Sequence, residues 1–180
     1  ERTVSLGWAT VGNTPARRFG PTDYEGGIRT PFIAHWPGVI KPGMTNQVGH
    51  IIDISATFRD ITGAKYPKKI QGKKTKPPVG KSLLPIFNGD ERKPHKEIFW
   101  RFNRANAVRQ GDLKVVRAGK VWELYDLKRN LSETSNVAAD HPESIAKRTE
   151  ILTESHEPAR PGTYTTRERH ERDRWAKWGT

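Results

Sequence analysis

One short stretch of the chain combines charged side chains with adjacent glycines. Residues 24–31 read YEGGIRTP, so Glu25 and Arg29 stand on either side of Gly-Gly-Ile. Adjacent glycines permit positive φ angles that other residues avoid. Because sites in α/β proteins gather on loops beside a sheet edge, this octapeptide is a candidate functional loop. The alternative is a tight turn that simply needs two glycines.

Other catalytic signatures are missing or incomplete. The chain has no cysteine, which excludes disulfides, a thiol nucleophile and thiolate metal ligands within it. Residues 80–82 (GKS) look like the end of a phosphate-binding loop, but Thr75 stands where the first glycine is required. None of the six histidines forms the zinc-protease spacing, and no serine lies in a Gly-x-Ser-x-Gly elbow.

Several isolated polar residues have simpler structural explanations. His35 lies within an apolar run, which is typical of a hydrogen-bonded core histidine. His50 precedes a predicted helix, where local hydrogen bonds explain it. Asp53 and Asp60 are seven positions apart on that helix, and we interpret them as an N-cap and an exposed carboxylate rather than an acid/base pair.

Composition limits the classes of protein that fit. The 180 residues suit one domain or slightly more, and hydrophobic and charged contents of 33% and 29% predict a modest core. The net charge of +12 is compatible with a polyanionic partner or with solubility alone. Six lysines fall within residues 65–76, which we interpret as a solvated loop. We see no signal peptide and no run that could span a membrane.

Glycine, proline and apolar patterns divide the chain into predicted elements. Residues 1–30 are too rich in glycine and proline for regular structure. Residues 30–36 (TPFIAHW) predict a buried strand. Residues 50–64 predict a helix with Ile54, Phe58 and Ile61 on one apolar stripe and Gly63 at its C-terminal cap. The following segments are a surface loop to Val79 and then a short connector, residues 81–87.

The second half of the chain has a different sequence pattern. Residues 97–102, 105–110, 113–117 and 121–125 are four strand-like runs separated by the turn signals Gly111-Asp112 and Gly119-Lys120. They predict a small antiparallel sheet. His141-Pro142 then begins a helix that extends to about Ser155. The mixed-charge tail is predicted to be disordered.

These blocks resemble the sulfatase family, arylsulfatase type. The family pattern has an aromatic residue or His, then Glu-Gly-Gly-Ile-x-x-Pro, then an apolar run ending in Trp-Pro, and residues 24–38 follow it. Further blocks follow in the family's order over about residues 6–155. They are residues 7–9, 13–15, 50–54, 62–64, 80–85, 107–109, 111–114, 122–127 with Glu133 and Asn136, and 141–142.

The resemblance implies hydrolysis of a sulfate ester, either an aryl sulfate or a sulfated glycan. In the family a formylglycine attacks sulfur, and a calcium ion neutralises the sulfate. The resemblance places the nucleophile and the calcium ligands outside this chain, so we expect the chain alone to be inactive and to contain no metal ligands. It also suggests a periplasmic or secreted protein. It leaves the oligomeric state open.

One position departs from the family pattern. The sulfate-binding lysine should stand four residues before Tyr24, where this sequence has Gly20. Arg17 matches an arginine of the family block, so Arg18 is the freer replacement cation, although guanidinium is a poor proton donor. The candidate substrate-binding residues are Arg17, Arg18, Tyr24 and Glu25.

The sequence thus predicts a truncated alkaline-phosphatase-like α/β fold. Residues 1–64 end the catalytic domain, 65–96 are linker and connector, 97–156 form the antiparallel-sheet subdomain with its helix, and 157–180 are the charged tail. Two alternatives are a catalytically dead sulfatase scaffold and a polyanion-binding protein. Nucleic-acid binding rests on charge alone, because no recognition motif accompanies the lysines.

Overall fold

The computed structural model describes residues 5–20, 22–102 and 105–154; the tail of residues 157–180 lies outside them, so its predicted disorder stays a prediction. The helices are α1 (Leu6–Gly12), α2 (Glu25–Ile28), α3 (Ile52–Thr62), α4 (Leu84–Phe87), a 3-10 turn (Ala138–Asp140) and α5 (Pro142–Glu154). The strands are β1 (Lys69–Ile70), β2 (Lys73–Lys74), β3 (Ile98–Phe102), β4 (Ala105–Gln110), β5 (Leu113–Ala118) and β6 (Val121–Asp126). No helix in these ranges is long and apolar enough to cross a membrane.

The predicted four-stranded antiparallel sheet is confirmed. Strands β3, β4, β5 and β6 pair in chain order, with Val108 opposite Val115 and Val115 opposite Leu124. The turns fall at Gly111 and Gly119, whose φ angles of 59° and 64° are easily adopted only by glycine. Short turns between neighbouring strands explain why this part of the fold is readable from sequence.

Both faces of this sheet are covered. Ala107, Val116 and Tyr125 share one face and pack with Tyr24 from the first part of the chain. On the other face Val108, Val115 and Leu124 are buried beneath α5, which contacts β4 and β5. The antiparallel sheet is therefore the centre of the described structure, with the loop before α2 on one side and α5 on the other.

The lysine-rich segment is a hairpin rather than an irregular loop. Strands β1 and β2 pair with Lys69 opposite Lys74 and Ile70 opposite Lys73. Gln71 and Gly72 form the two-residue turn with φ angles of 48° and 77°. Positive φ at both turn residues is typical of the tight turns that match strand twist. The hairpin is hard to predict because strands of two residues leave no alternating pattern in the sequence.

Helix α3 forms where predicted, but its orientation is the reverse of the expectation. It ends at Gly63, whose φ of 68° gives the left-handed C-cap. Its buried residues are Asp53, Ala56 and Thr57, whereas Phe58 on the predicted core stripe is 64% exposed. The apolar stripe faces outward because no other described element packs against it, while Asp53 is held by hydrogen bonds. Asp53 is also not the N-cap; Ile51 occupies that position.

The predicted strand at residues 30–36 is not formed. These residues have no regular secondary structure, Ile33 is 89% exposed and His35 is exposed rather than buried. A strand needs a neighbouring strand to satisfy its backbone groups, and no described strand lies beside this segment. The prediction of a loop for the first thirty residues is also wrong in part, because α1 and α2 are short helices.

Candidate functional site

The core of the candidate site is a buried ion cluster that joins α2 to the antiparallel sheet. The Lys114 ammonium lies 2.8 Å from Glu25 Oε1 and 2.9 Å from Glu133 Oε1, and all three side chains are shielded from solvent. The Glu25 backbone N–H also donates to Glu133 Oε2 at 2.7 Å. Trp100 adds a cation–π contact, with the Lys114 nitrogen 5.9 Å from its ring. One lysine thus holds two segments far apart in sequence.

Glu133 is the residue in which these contacts converge. Its φ of 51° lies in the left-handed region, which costs a non-glycine residue roughly 1–2 kcal/mol. Its carboxylate contacts Lys114 and Glu25, and its backbone oxygen accepts a hydrogen bond from Arg17 at 3.0 Å. Burial raises the pKa of Glu133, although the adjacent Lys114 charge opposes the shift. In this backbone conformation the Glu133 carboxylate reaches Lys114 and the Glu25 N–H, while its backbone oxygen reaches Arg17.

A second network joins the preceding loop to strand β6. Arg17 Nη1 donates to the Tyr125 hydroxyl at 2.7 Å and lies 3.5 Å from Glu123. The hydroxyls of Tyr24 and Tyr125 both donate to Glu123 Oε2, at 2.5 and 2.7 Å. Burial and the Glu123 carboxylate raise the pKa of Tyr24 to about 12. The same two causes raise the pKa of Tyr125. Both phenols are therefore neutral hydrogen-bond donors near neutral pH.

Adjacent glycines allow the loop to fold back on itself. A Cβ on Gly26 would collide with the backbone oxygens of Arg17 and Arg18, and one on Gly27 would collide with the Thr22 backbone oxygen. The Gly26 N–H donates to the Arg17 oxygen at 2.9 Å. Neither glycine has a positive φ, so the expected reason for Gly-Gly is wrong. Close backbone approach requires them instead.

Arg18 differs from Arg17 in its surroundings. Arg18 is exposed, has a φ of 66°, and its guanidinium lies 5.6 Å from the Tyr24 ring. Gly20, at the position of the family's lysine, also has a positive φ of 60° and open space where a Cβ would stand. The positive φ angles of Arg18 and Gly20 therefore set the path of the loop at this point, and the Arg18 guanidinium faces solvent.

A cavity of about 310 Å³ lies between this loop and the edge strand β3. It is lined by Gly20, Thr22, Asp23, Gly27, Ile28, Trp100 and Arg101. Asp23 is 2% exposed, and its Oδ2 has no hydrogen-bond partner. Burial raises the pKa of Asp23, and Lys114 opposes the shift. A buried acceptor without a donor beside a cavity is able to bind a hydroxyl or N–H group of a ligand.

Asp53 organises a separate polar cluster around α3. Its carboxylate accepts hydrogen bonds from the backbone N–H groups of His50 and Lys81, at 2.9 and 2.8 Å. Arg92 and the His95 ring contact it at 2.9 and 2.8 Å. Burial alone would raise the pKa of Asp53, but these four contacts outweigh burial and lower it. Asp53 therefore links α3 to the connector of residues 81–87 and to residues 92–95, and we interpret this ion cluster as structural.

The described residues do not fit a calcium site. No group of three or more His, Cys, Asp or Glu side chains within these ranges could hold a metal ion. Carboxylates do converge at Glu25 and Glu133, but the Lys114 ammonium occupies the space between them. The acceptor oxygens that a divalent cation would need are already paired with a cation of the protein.

The four residues that the sequence singled out lie together. Arg17, Arg18 and Tyr24 are joined by cation–π contacts, at 4.6 and 5.6 Å from the two guanidiniums to the ring, and Glu25 follows directly. Sequence analysis did not select Lys114, Glu123, Tyr125 or Glu133 as site residues. The alternation of Leu113, Lys114 and Val115 is typical of a strand with one solvent-facing side, so the local sequence gives no sign that Lys114 is buried.

Comparisons with known proteins agree with this architecture. A protein-family model described as N-sulphoglucosamine sulphohydrolase, C-terminal, matches residues 18–157. A sulfatase of Formosa agariphila is 33% identical over 149 residues, covering 72% of this chain and 26% of that protein. Human arylsulfatase A is 32% identical over 99 residues, 55% of this chain and 18% of that protein. An N-acetylgalactosamine-6-O-sulfatase of Bacteroides thetaiotaomicron is 27% identical over 145 residues, which cover 72% of this chain and 27% of that protein.

The fold has counterparts among solved structures. A structure described as Ps i-CgsB in complex with k-i-k-neocarrahexaose matches with a TM-score of 0.72 and 22% identity, over 92% of this chain and 37% of that one. The antiparallel sheet, its loop and its helix thus correspond to the C-terminal part of an alkaline-phosphatase-like sulfatase fold. The chain belongs to the sulfatase family and corresponds to its C-terminal portion. It spans about a quarter or less of the length of the curated relatives named above.

Proposed function

We propose that this chain is part of a sulfatase that hydrolyses sulfate esters, and that the loop of residues 17–28 lies at the rim of the sulfate pocket. Family membership supports a sulfuric ester hydrolase as the reaction class. The observation that carries the role of the loop is the buried Lys114–Glu25 ion pair, because it fixes the loop against a rigid sheet. Precisely held groups accelerate a reaction more than mobile ones do.

In this proposal three residues of the loop have distinct roles. Arg18 supplies the positive charge that attracts a sulfate oxygen, in place of the family's lysine. Tyr24 and Arg17 support the loop through Glu123 and Tyr125 and do not touch the substrate. The formylglycine nucleophile and the calcium ion lie outside this chain, so the chain by itself is inactive.

The substrate that we favour is a sulfated glycan rather than a small aryl sulfate. The net charge of +12 attracts a polyanion. One relative is by name an N-acetylgalactosamine-6-O-sulfatase, an enzyme of a sulfated sugar. In the cavity beside β3, Asp23 would accept a hydrogen bond from a sugar hydroxyl, and Trp100 would provide an apolar wall.

An aryl sulfate that releases a coloured phenol tests this function. The purified 180-residue chain should show no turnover, and turnover by it would disprove the placement of the nucleophile. In a longer protein that contains this chain and is active, Arg18→Ala should lower kcat/KM by roughly tenfold or more. Arg129→Ala, which removes an exposed guanidinium outside this loop, is the matched control. If the two variants are equally active, Arg18 does not bind the substrate.

The second candidate is a sulfatase scaffold without catalysis, and Gly20 at the lysine position favours it. The coding sequence upstream of Glu1 distinguishes the candidates. A Cys-x-Pro-x-Arg or Ser-x-Pro-x-Arg motif together with an Asp-Asn metal pair would support an enzyme. If either is missing from the full protein, the scaffold is the better description, and Gly20→Lys would not restore turnover.

A further inference from the structure

The positive charge of the chain is concentrated in one segment. Residues 61–89 contain seven lysines, no arginine and no acidic residue, so they carry +7 of the total +12. The hairpin of β1 and β2 lies in the middle of this segment. Lys68, Lys69, Lys73 and Lys74 are all exposed. Within the described ranges, no ion pair involves Lys69, Lys73 or Lys74.

The geometry of the hairpin keeps these charges close to one another. Lys69 and Lys74 are directly opposite across the two strands. Like charges in this arrangement repel and destabilise a hairpin. The turn at Gln71 and Gly72 and hydrogen bonds from Thr75 to Pro67 and Lys68 close it nevertheless. A hairpin that served only as a connection would not need uncompensated lysines in this register.

We propose that the β1–β2 hairpin, residues 68–74, is a docking arm for a linear sulfated polysaccharide. This inference rests on the proposed sulfatase function for the choice of polyanion. Lysine is a compact point charge on a flexible stem, which suits sulfate groups whose spacing varies along a polymer. Lysine-rich segments of this length are typical of heparin and nucleic-acid binding. The arm would hold a neighbouring stretch of the polymer while one sulfate ester occupies the pocket.

The chemistry of the hairpin favours a polysaccharide over a nucleic acid. Single-stranded nucleic acids are bound by aromatic side chains on which bases stack. No aromatic residue lies between Lys68 and Lys74. The nearest one, Tyr66, has the Arg59 guanidinium 5.5 Å from its ring. The arm therefore offers charge without a stacking surface.

Binding of the whole chain to fluorescein-labelled heparin over a series of salt concentrations tests the proposal without any need for turnover. The test variant is Lys69→Gln, Lys73→Gln, Lys74→Gln. The matched control is Lys93→Gln, Lys120→Gln, Lys128→Gln, which removes three exposed lysines elsewhere and the same net charge. The hairpin variant should lose about tenfold in affinity at low salt, with a salt slope smaller by about two, and the control should lose much less.

Two results would overturn the proposal. Equal losses in the two variants would show that heparin responds only to net charge. Duplex DNA bound as tightly as heparin, with the same dependence on the hairpin lysines, would replace the sulfated polysaccharide with a general polyanion. Neither result bears on the sulfatase function, which the aryl sulfate assay measures separately.

Discussion

The ammonium nitrogen of Lys114 lies 2.8 Å from a carboxylate oxygen of Glu25, and the two residues are 89 positions apart in the chain. Strand β5 supplies the lysine and α2 supplies the carboxylate, so the pair joins the loop of residues 17–28 to the antiparallel sheet. Buried ion pairs are costly to break because the remaining charge is left without a partner. This relationship makes the loop part of the same cooperative structure as the sheet.

Lys114→Met should destabilise the chain strongly. The change removes the cation that lies between Glu25 and Glu133 and leaves two buried carboxylates facing each other. We expect the free energy of unfolding to fall by roughly 3–5 kcal/mol, measured by urea denaturation. Lys120→Met, at an exposed turn position, is the control and should change it little. Similar midpoints for the two variants would contradict the importance of the cluster.

Asp53→Asn should also destabilise the chain, and the loss should depend on pH. The native contacts lower the pKa of Asp53 below the 3.8 that is usual for an aspartate, so the ionised carboxylate favours the folded state. Its contribution is fully present above 3.8 and is lost as pH falls through the folded-state pKa. We expect a difference from wild type of about 3 kcal/mol near neutral pH that shrinks in acid. Asp60→Asn, exposed on the same helix, should show no such difference.

Asp23→Asn should change the free energy of unfolding in the opposite direction and stabilise the chain. Burial raises the pKa of Asp23 above 3.8, so its ionised form disfavours the folded state. That penalty is present above the folded-state pKa and disappears as pH falls below the unfolded value. The variant should be more stable than wild type by about 1 kcal/mol near neutral pH. Urea midpoints across the acid range measure this, and a loss of stability near neutral pH would show that Asp23 has a partner in solution.

Phe58→Ser should leave the stability of the chain nearly unchanged. Phe58 is 64% exposed on the outward face of α3, beside a groove lined by Ile51, Ile54 and Thr62. Substitutions of exposed residues usually stay within about 0.5 kcal/mol. Val116→Ser, in the fully buried cluster under Tyr24, should cost several times more. A large loss for Phe58→Ser would mean that α3 buries its apolar stripe in solution.

The antiparallel sheet, the C-cap at Gly63 and helix α5 could be predicted from the sequence because each depends on neighbours within a few residues. Turn glycines, alternating apolar residues and a proline at the first helical turn act locally. The family blocks around Glu25 and Trp122 likewise indicated the class of protein and the site loop.

Only the tertiary structure decided the partners of Lys114, the orientation of α3 and the absence of a strand at residues 30–36. Each of these depends on groups distant in sequence. Lys114 is buried because Glu25 and Glu133 neutralise it. Helix α3 turns its polar face inward because Arg92, His95 and Lys81 supply hydrogen bonds to Asp53. A periodic pattern shows which side chains share a face, but the energy of long-range contacts determines which face is buried.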